Sequence, residues 1–366
     1  MIPLARPTLP KLNSMQRKMQ DIFKSGMLTN AKYVAEFEKE AAKFLGVKNT
    51  VAVSSGTAAL TLVLKCLQLK GEVILPSFTF TSGASALLWC GLTPVFADID
   101  PETFNIDPNS IEKKITKKTS AILATHVFGN PCEVKKIEKI AKKHNLKVIY
   151  DAAHAFGSTY KNKSVFNYGD ASMVSFTPTK VFTTAEGGLV VVKDKNLVKT
   201  LKLGRNNGDS FNRNEEFLGI TARMNEFSAI LGIEGLKVLK KNLERRMRII
   251  NLYKKELNNI SGISFQQISP KNFSVYKDFT ILVNEKKFGI SRDNLLKELL
   301  KRKIQTKTYF YPPLHQKKIC SKLPKSFLPN TNYISSHIMS LPLYSHMPEK
   351  YVKQVCAVIQ KAYVKK

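Results

Sequence analysis

Three side chains in two short segments could carry covalent chemistry. Lys180 lies in "SFTPTKVFTTAEGGLVVV" (175–192), after an apolar run, among the hydroxyl residues Ser175, Thr177, Thr179, Thr183 and Thr184. An amine is nucleophilic only without its extra proton, and burial or a nearby cation favours that loss. Such a lysine could form a Schiff base with a carbonyl; the alternative is a solvated loop lysine, the commoner fate of the residue. Asp151 lies 29 residues earlier and closes the apolar run of "VIYDAAHAFG" (148–157). A carboxylate there needs a partner, because burying it unpaired is costly. A cationic ring nitrogen of a cofactor, a structural arginine or a helix N-terminus would each serve. His154 follows three residues on, as a ligand contact or a packing histidine.

Two further segments could hold a planar anionic ligand. In "VAVSSGTAAL" (51–60) a β run gives way to Ser54-Ser55-Gly56-Thr57 and a helix. Free N–H groups, hydroxyls and the helix dipole suit a phosphate there, and ordinary helix capping explains the motif equally well. In "PSFTFTSGA" (76–84) Phe80 follows the end of a strand, to stack on a planar ligand or to fill the core. Each signal is weak alone. Together they meet the needs of pyridoxal 5'-phosphate: a phosphate cradle, a stacking face, an acid for the ring nitrogen and a Schiff-base lysine.

The elements that must position these residues alternate. Strands are expected at Thr50 to Val53, Glu72 to Leu75, Thr93 to Ala97, Ala121 to Ala124, Lys147 to Tyr150, Ser172 to Phe176 and Leu189 to Val192. Helical stretches separate several of them: Thr57 to Leu69, Thr81 to Cys90, Asn109 to Ile115 and Cys132 to His144. Such alternation predicts an α/β domain with a mostly parallel sheet, whose ligands sit at the carboxyl ends of strands. A long helix from about Met224 to Leu257 bridges to a smaller α+β unit. That unit is expected to contain strands Phe279 to Val283 and Thr306 to Tyr311, and helices Arg292 to Lys303 and Pro348 to Tyr363. The expected domains are 13–245 and 246–366, with the arm 1–12 associated.

The 366 residues are 43% hydrophobic, ample for a buried core. The apolar stretch Ala84 to Phe96 is interrupted by Gly91 and Pro94, so no membrane span is expected, and "MIPLARPTLP" has no apolar signal core. Five scattered cysteines without a C-x-x-C pair point to reduced thiols and a cytoplasmic location. No H-E-x-x-H occurs, and no metal is expected. The formal net charge of +30 raises nucleic-acid binding. However, only ten of the 58 basic residues are arginine, the better reader of phosphates and bases, and no reading motif accompanies them. A lysine-rich background explains the charge better, and it can still steer anionic ligands.

The segments "MLTNAKYVAEFEKEAAKFLGVKN", "SSGTAAL", "PVFADIDPETFNIDP", "DAAHAFG", "SFTPTKVFTTAEGG" and "RMNEFSAILGIEGL" span nearly the whole chain. In them the sequence resembles the DegT/DnrJ/StrS-type sugar aminotransferases. The resemblance implies a fold type I pyridoxal-phosphate-dependent transferase. It implies Lys180 as the Schiff-base lysine that moves the proton, Asp151 at the ring nitrogen and His154 near the ring hydroxyl. It implies Gly56, Thr57, Ala58 and Ser175 at the phosphate and Phe80 over the ring. It further implies a homodimer with shared sites, L-glutamate as amino donor and a nucleotide-linked keto sugar as acceptor. "LLWCGLTPVF", "IYDAAHAFG" and "TKVFTTAEGG" resemble the subgroup that aminates C4 of dTDP-4-keto-6-deoxyglucose, with C3 amination and sugar dehydration as alternatives. Dehydratases of this type carry histidine at the lysine position, so Lys180 speaks against dehydration. The amino sugar would enter a surface glycan such as a lipopolysaccharide O-antigen, or a glycosylated metabolite. One departure is "GITARM" (219–224), where Thr221 occupies the place of an asparagine that reaches a neighbouring subunit's phosphate; Asn225 lies nearby.

Overall fold

The computed structural model describes residues 1–209 and 217–364; 210–216, and 365–366 at the end of the expected C-terminal unit, lie outside the described residues. Five strands come first: β1 (Asn49–Val53), β2 (Glu72–Pro76), β3 (Thr93–Ala97), β4 (Thr119–Thr125) and β5 (Lys147–Asp151). A short hairpin, β6 (Thr159–Tyr160) and β7 (Lys163–Ser164), precedes β8 (Ala171–Ser175) and β9 (Gly188–Val192). The main sheet has the order β1-β9-β8-β5-β4-β2-β3. β9 runs antiparallel to both neighbours, and the remaining pairs are parallel.

The apolar runs read as strands because both faces of the sheet are covered. On β9, Leu189 and Val191 join one core and Val190 and Val192 the other. On β1, Ala52 faces the first core and Val51 and Val53 the second, as a period of two requires. Helix Val134–Lys143 shows the complementary logic, burying Val134, Ile137, Ile140 and Ala141 and leaving its lysines outward.

Helix Glu226–Leu257 belongs to two cores. Its first half places Ala229, Ile230, Ile233, Leu239 and Leu243 against the main sheet's core, and Ile249, Ile250, Tyr253 and Leu257 enter a separate one. That second core is covered by β10 (Ile263–Phe265), β11 (Phe279–Val283) and β12 (Ile338–Leu341), with helices Arg292–Lys301 and Glu349–Ala362. The N-terminal arm joins it, because Ile2 exchanges backbone hydrogen bonds with Lys303 and Gln305, and Leu343 N–H donates to the Leu4 carbonyl.

One expected strand is not formed. Residues 306–311 make only a bridge between Lys307 and Ser340, and the third strand of the small sheet is instead Ile338–Leu341. The aromatic run "TYFYPP" has strand-like composition. However, Tyr311 N–H closes a turn on the Thr308 carbonyl, and the prolines at 312 and 313 have no N–H to continue a ladder.

Helix Lys32–Leu45 has no side-chain cap of its own. The buried Glu226 carboxylate replaces it, accepting the N–H groups of Ala31 (2.9 Å), Tyr33 (2.7 Å) and Val34 (3.0 Å). An anion at a helix N-terminus is favourable. Glu226→Ala leaves these donors without an acceptor, so we expect a loss of about 3–5 kcal/mol, read from the urea-unfolding midpoint.

Candidate active site

At the carboxyl ends of β1, β2, β4, β5 and β8, a cavity of about 290 Å³ opens. Its floor and walls bring together most of the residues singled out above: Gly56, Thr57, Phe80, Asp151, His154, Ser175 and Lys180 all line it. Each arrives by a different element. Ser55 caps helix Gly56–Cys66, its hydroxyl accepting the Ala58 N–H at 3.1 Å. The Gly56 and Thr57 N–H groups head that helix beside the cavity. The turn fits closely: a Cβ at Gly188 would lie 2.4 Å from the Ser55 carbonyl oxygen, and one at Gly56 would lie 2.7 Å from the Ser175 Cβ. Glycine is therefore required at both places.

Lys180 sits on the excursion between β8 and β9. The loop is pinned from within. Phe176 N–H donates to the Gly187 carbonyl (2.9 Å), and Thr184 N–H and the Thr183 hydroxyl both reach the Phe176 carbonyl. Phe182, two residues after Lys180, is buried against Phe156 and Phe176. The hydroxyl residues thus divide: Ser175, Thr177 and Thr179 line the cavity, and Thr183 and Thr184 hold the loop.

The charges in this cavity are poorly solvated. Burial raises the Asp151 carboxyl above its ordinary value, opposed by the Ala153 N–H at 3.0 Å and by the Lys180 charge. One Asp151 oxygen takes that N–H, and the carboxylate makes no other hydrogen bond among the described residues. Burial, and then the Lys277 charge, lower the Lys180 amine to about 8, against opposing pulls from Asp151 and Asp278. His154 is held well below its usual range by burial, then by Lys180 and Lys277. Its Nδ1 accepts the Phe128 N–H (3.2 Å), which assigns the proton of the neutral ring to Nε2. The ring lies parallel to Phe128 and Phe310, with centroids 6.1 Å away in each case.

Phe80 is 57% exposed, so its face is available at the cavity and it is no core residue. Three other residues named above have ordinary structural roles. Ala58 does not line the cavity, and its N–H is taken by the Ser55 cap. Thr221 donates its hydroxyl to Asn207 (3.0 Å), and Asn225 caps helix Glu226–Leu257 through the Ser228 N–H (2.7 Å). Sequence reasoning missed the cavity's contribution from the C-terminal half: Lys277, Tyr309 and Phe310. The lysine-aspartate pair just before an apolar strand, in "YKDF", was a usable signal; Tyr309 and Phe310 fall within the strand expected at Thr306 to Tyr311.

A depressed lysine, a buried carboxylate with a free oxygen and a helix N-terminus beside hydroxyls fit the amine-reactive, ring-nitrogen and phosphate ends of pyridoxal phosphate. On this mostly parallel sheet they define a fold type I pyridoxal-phosphate-dependent transferase. Residues 12–360 match the model of the DegT/DnrJ/EryC1/StrS aminotransferase family, and the chain belongs to that family. It is a nucleotide-sugar aminotransferase that uses pyridoxal phosphate. It is 36% identical over 365 residues to dTDP-4-amino-4,6-dideoxy-D-glucose transaminase of Shigella dysenteriae, covering 98% of each chain. It is 32% identical to GDP-perosamine synthase of Caulobacter vibrioides, over 91% of each. The solved structure of DesI in the presence of its TDP-sugar product superposes with a TM-score of 0.94 at 30% identity, covering 99% of this chain and 93% of that one.

Depression of the lysine has a definite sign. Between about 8 and 10.5 the unfolded chain holds a proton that the folded chain lacks. This group's contribution to stability is therefore present above 10.5 and lost as the pH falls through about 8. In the unliganded protein, Lys180 should react with an amine-directed reagent at pH 8 well ahead of exposed lysines. Peptide mass spectrometry across a pH series measures this, and a titration at the ordinary lysine value contradicts it.

Proposed function

We propose that the chain transfers the amino group of L-glutamate to C4 of a dTDP-linked 4-keto-6-deoxyhexose. The observation that carries the reading is the Lys180 amine, depressed to about 8, in one cavity with the buried Asp151 carboxylate. The 36% identity to a dTDP-4-amino-4,6-dideoxy-D-glucose transaminase supports the acceptor. The relative named GDP-perosamine synthase marks the rival nucleotide.

When bound, pyridoxal phosphate supplies a carbonyl carbon for amines and a cationic ring that draws electrons from an adjacent bond. Lys180 is the residue to hold that carbonyl, because at neutral pH a usable fraction of its amine is unprotonated. Asp151 would keep the ring nitrogen protonated, because its oxygen not bonded to Ala153 is available to accept an N–H, and in a dry site such a pairing is strong. His154 donates from Nε2 toward the ring hydroxyl, held by Phe128. Gly56, Thr57 and Ser175 receive the phosphate at the helix N-terminus. Phe80 covers the ring face. With the cofactor bound, the Lys180 amine would also be the base placed to take the donor's α-proton and to give it back. The same residues would serve the keto sugar.

This reading takes residues 13–245 as the cofactor unit and 246–366 as the smaller unit. It further takes the molecule to be a cytoplasmic homodimer with shared sites. Trp89 (83% exposed) and Phe80 on and beside helix Ser82–Trp89 offer apolar surface for a second copy. No helix among the described residues is long and apolar enough to cross a membrane.

The test is the visible spectrum of the cofactor-loaded protein on adding L-glutamate, followed by NMR of the product from dTDP-4-keto-6-deoxyglucose. We expect the spectrum to convert and the new amine to sit at C4; an amine at C3, or a product that has lost a hydroxyl, refutes the specific reading. Lys180→Ala should abolish turnover, and Asp151→Asn should reduce kcat by about 10²-fold or more while the fold is kept.

A further inference from the structure

Among the described residues lining the cavity, the cationic side chains are Lys180 and Lys277; no arginine lines it, and His154 is held neutral. Lys180 is committed to the reacting carbonyl. A second cation is nevertheless built into the wall. Lys277 is buried, and so is its neighbour Asp278. Its ammonium lies 3.0 and 2.9 Å from the two Asp278 oxygens and 4.8 Å from the centre of the Tyr309 ring. Two of its three N–H groups suffice for Asp278, which leaves one for another acceptor.

The backbone that carries Lys277 is held on both sides. Its N–H donates to the Phe128 carbonyl (2.8 Å). From the long helix, buried Arg246 donates to the carbonyls of Tyr276 (2.7 Å) and Lys277 (2.6 Å). A buried lysine held this firmly, with a donor to spare beside the reacting amine, is arranged for an anion.

We infer that Lys277 anchors the α-carboxylate of the amino donor. This rests on the aminotransferase reading above. Both substrates are anionic, and position separates them. The donor's α-carboxylate is one carbon from its amine, so it must lie close to Lys180. The acceptor's diphosphate is separated from C4 by the hexose ring. Lys277 lines the same cavity as Lys180, and its charge helps to lower that amine. Asp278 sets the neutral balance of the empty wall and, by holding two N–H groups, aims the third.

The test uses the cofactor-loaded full chain. Glutarate, a dicarboxylate without an amine, is titrated calorimetrically into wild type, Lys277→Met and Lys277→Arg. Steady-state KM is measured for L-glutamate, L-glutamine and the keto sugar. Loss of one charge-assisted contact should weaken glutarate, and raise KM for both amino acids, by about ten- to a hundredfold. The keto-sugar KM should be unchanged, and Lys277→Arg should recover most of the loss. Lys277→Met leaves Asp278 buried without its partner, so Lys277→Met/Asp278→Asn is measured beside it and should show the same pattern. Glutarate binding equal to wild type in both variants overturns the proposal. So does a KM effect confined to the keto sugar, or to L-glutamate alone, which would mark the side-chain carboxylate instead. Failure of the parent reading is separately visible, as a wild-type protein whose spectrum L-glutamate does not alter.

Discussion

A backbone contact holds the site together. β9 runs against the direction of its neighbours and inserts between β1 and β8, so Gly188 at its start faces Val53 on one side and Ser175 on the other. The Ser55–Gly56 turn then packs on Gly188 and Ser175 at distances that admit no extra carbon. This single approach fixes the helix N-terminus relative to β8, and the loop that leaves β8 carries Lys180. Aligning that turn with the Lys180 amine therefore needs no flexible adjustment.

The second constraint is electrostatic. A cavity dry enough to lower a lysine to about 8 also raises Asp151 and suppresses the charge on His154. Burying charge is costly, and each charged group here has a stated counterpart. Asp151 has Lys180 and the Ala153 N–H, and Lys277 has Asp278. Arg246 is itself lowered to about 10 by burial and ties the Lys277 segment to the long helix. The helix that bridges the two cores is thus also the support of the cavity's far wall. Movement of the small sheet relative to the large one would shift Lys277, Tyr309 and Phe310 together.

Much of this was legible in the sequence because local patterns and local chemistry agreed. All seven strands of the main sheet were expected within about two residues of where they occur, since apolar runs of five residues bounded by turns have few other homes. Asp151 was recognisable because it closes an apolar strand, and Gly56 and Lys180 because each follows such a strand within a short run rich in hydroxyl residues. The run at 306–311 misled because composition cannot show that its carbonyls and N–H groups are spent on a turn. Local sequence does not show that the Ala58 N–H and the Asn225 side chain are engaged in helix caps.

The sequence by itself determined the alternating α/β architecture and the family, and it singled out Lys180, Asp151 and the Ser55–Gly56 turn, which the structure brings to one cavity. These follow from residue types at short spacing, where the chain's own connectivity supplies the geometry. Only the tertiary structure decided which of 48 lysines share the cavity. Lys277 lies 97 residues beyond Lys180, and its only local mark is the aspartate beside it at the head of an apolar strand, which does not show that it reaches the cavity. Its place is set by the Phe128 carbonyl, by Arg246 on the bridging helix and by Asp278, contacts that exist only once two cores have packed on the same helix.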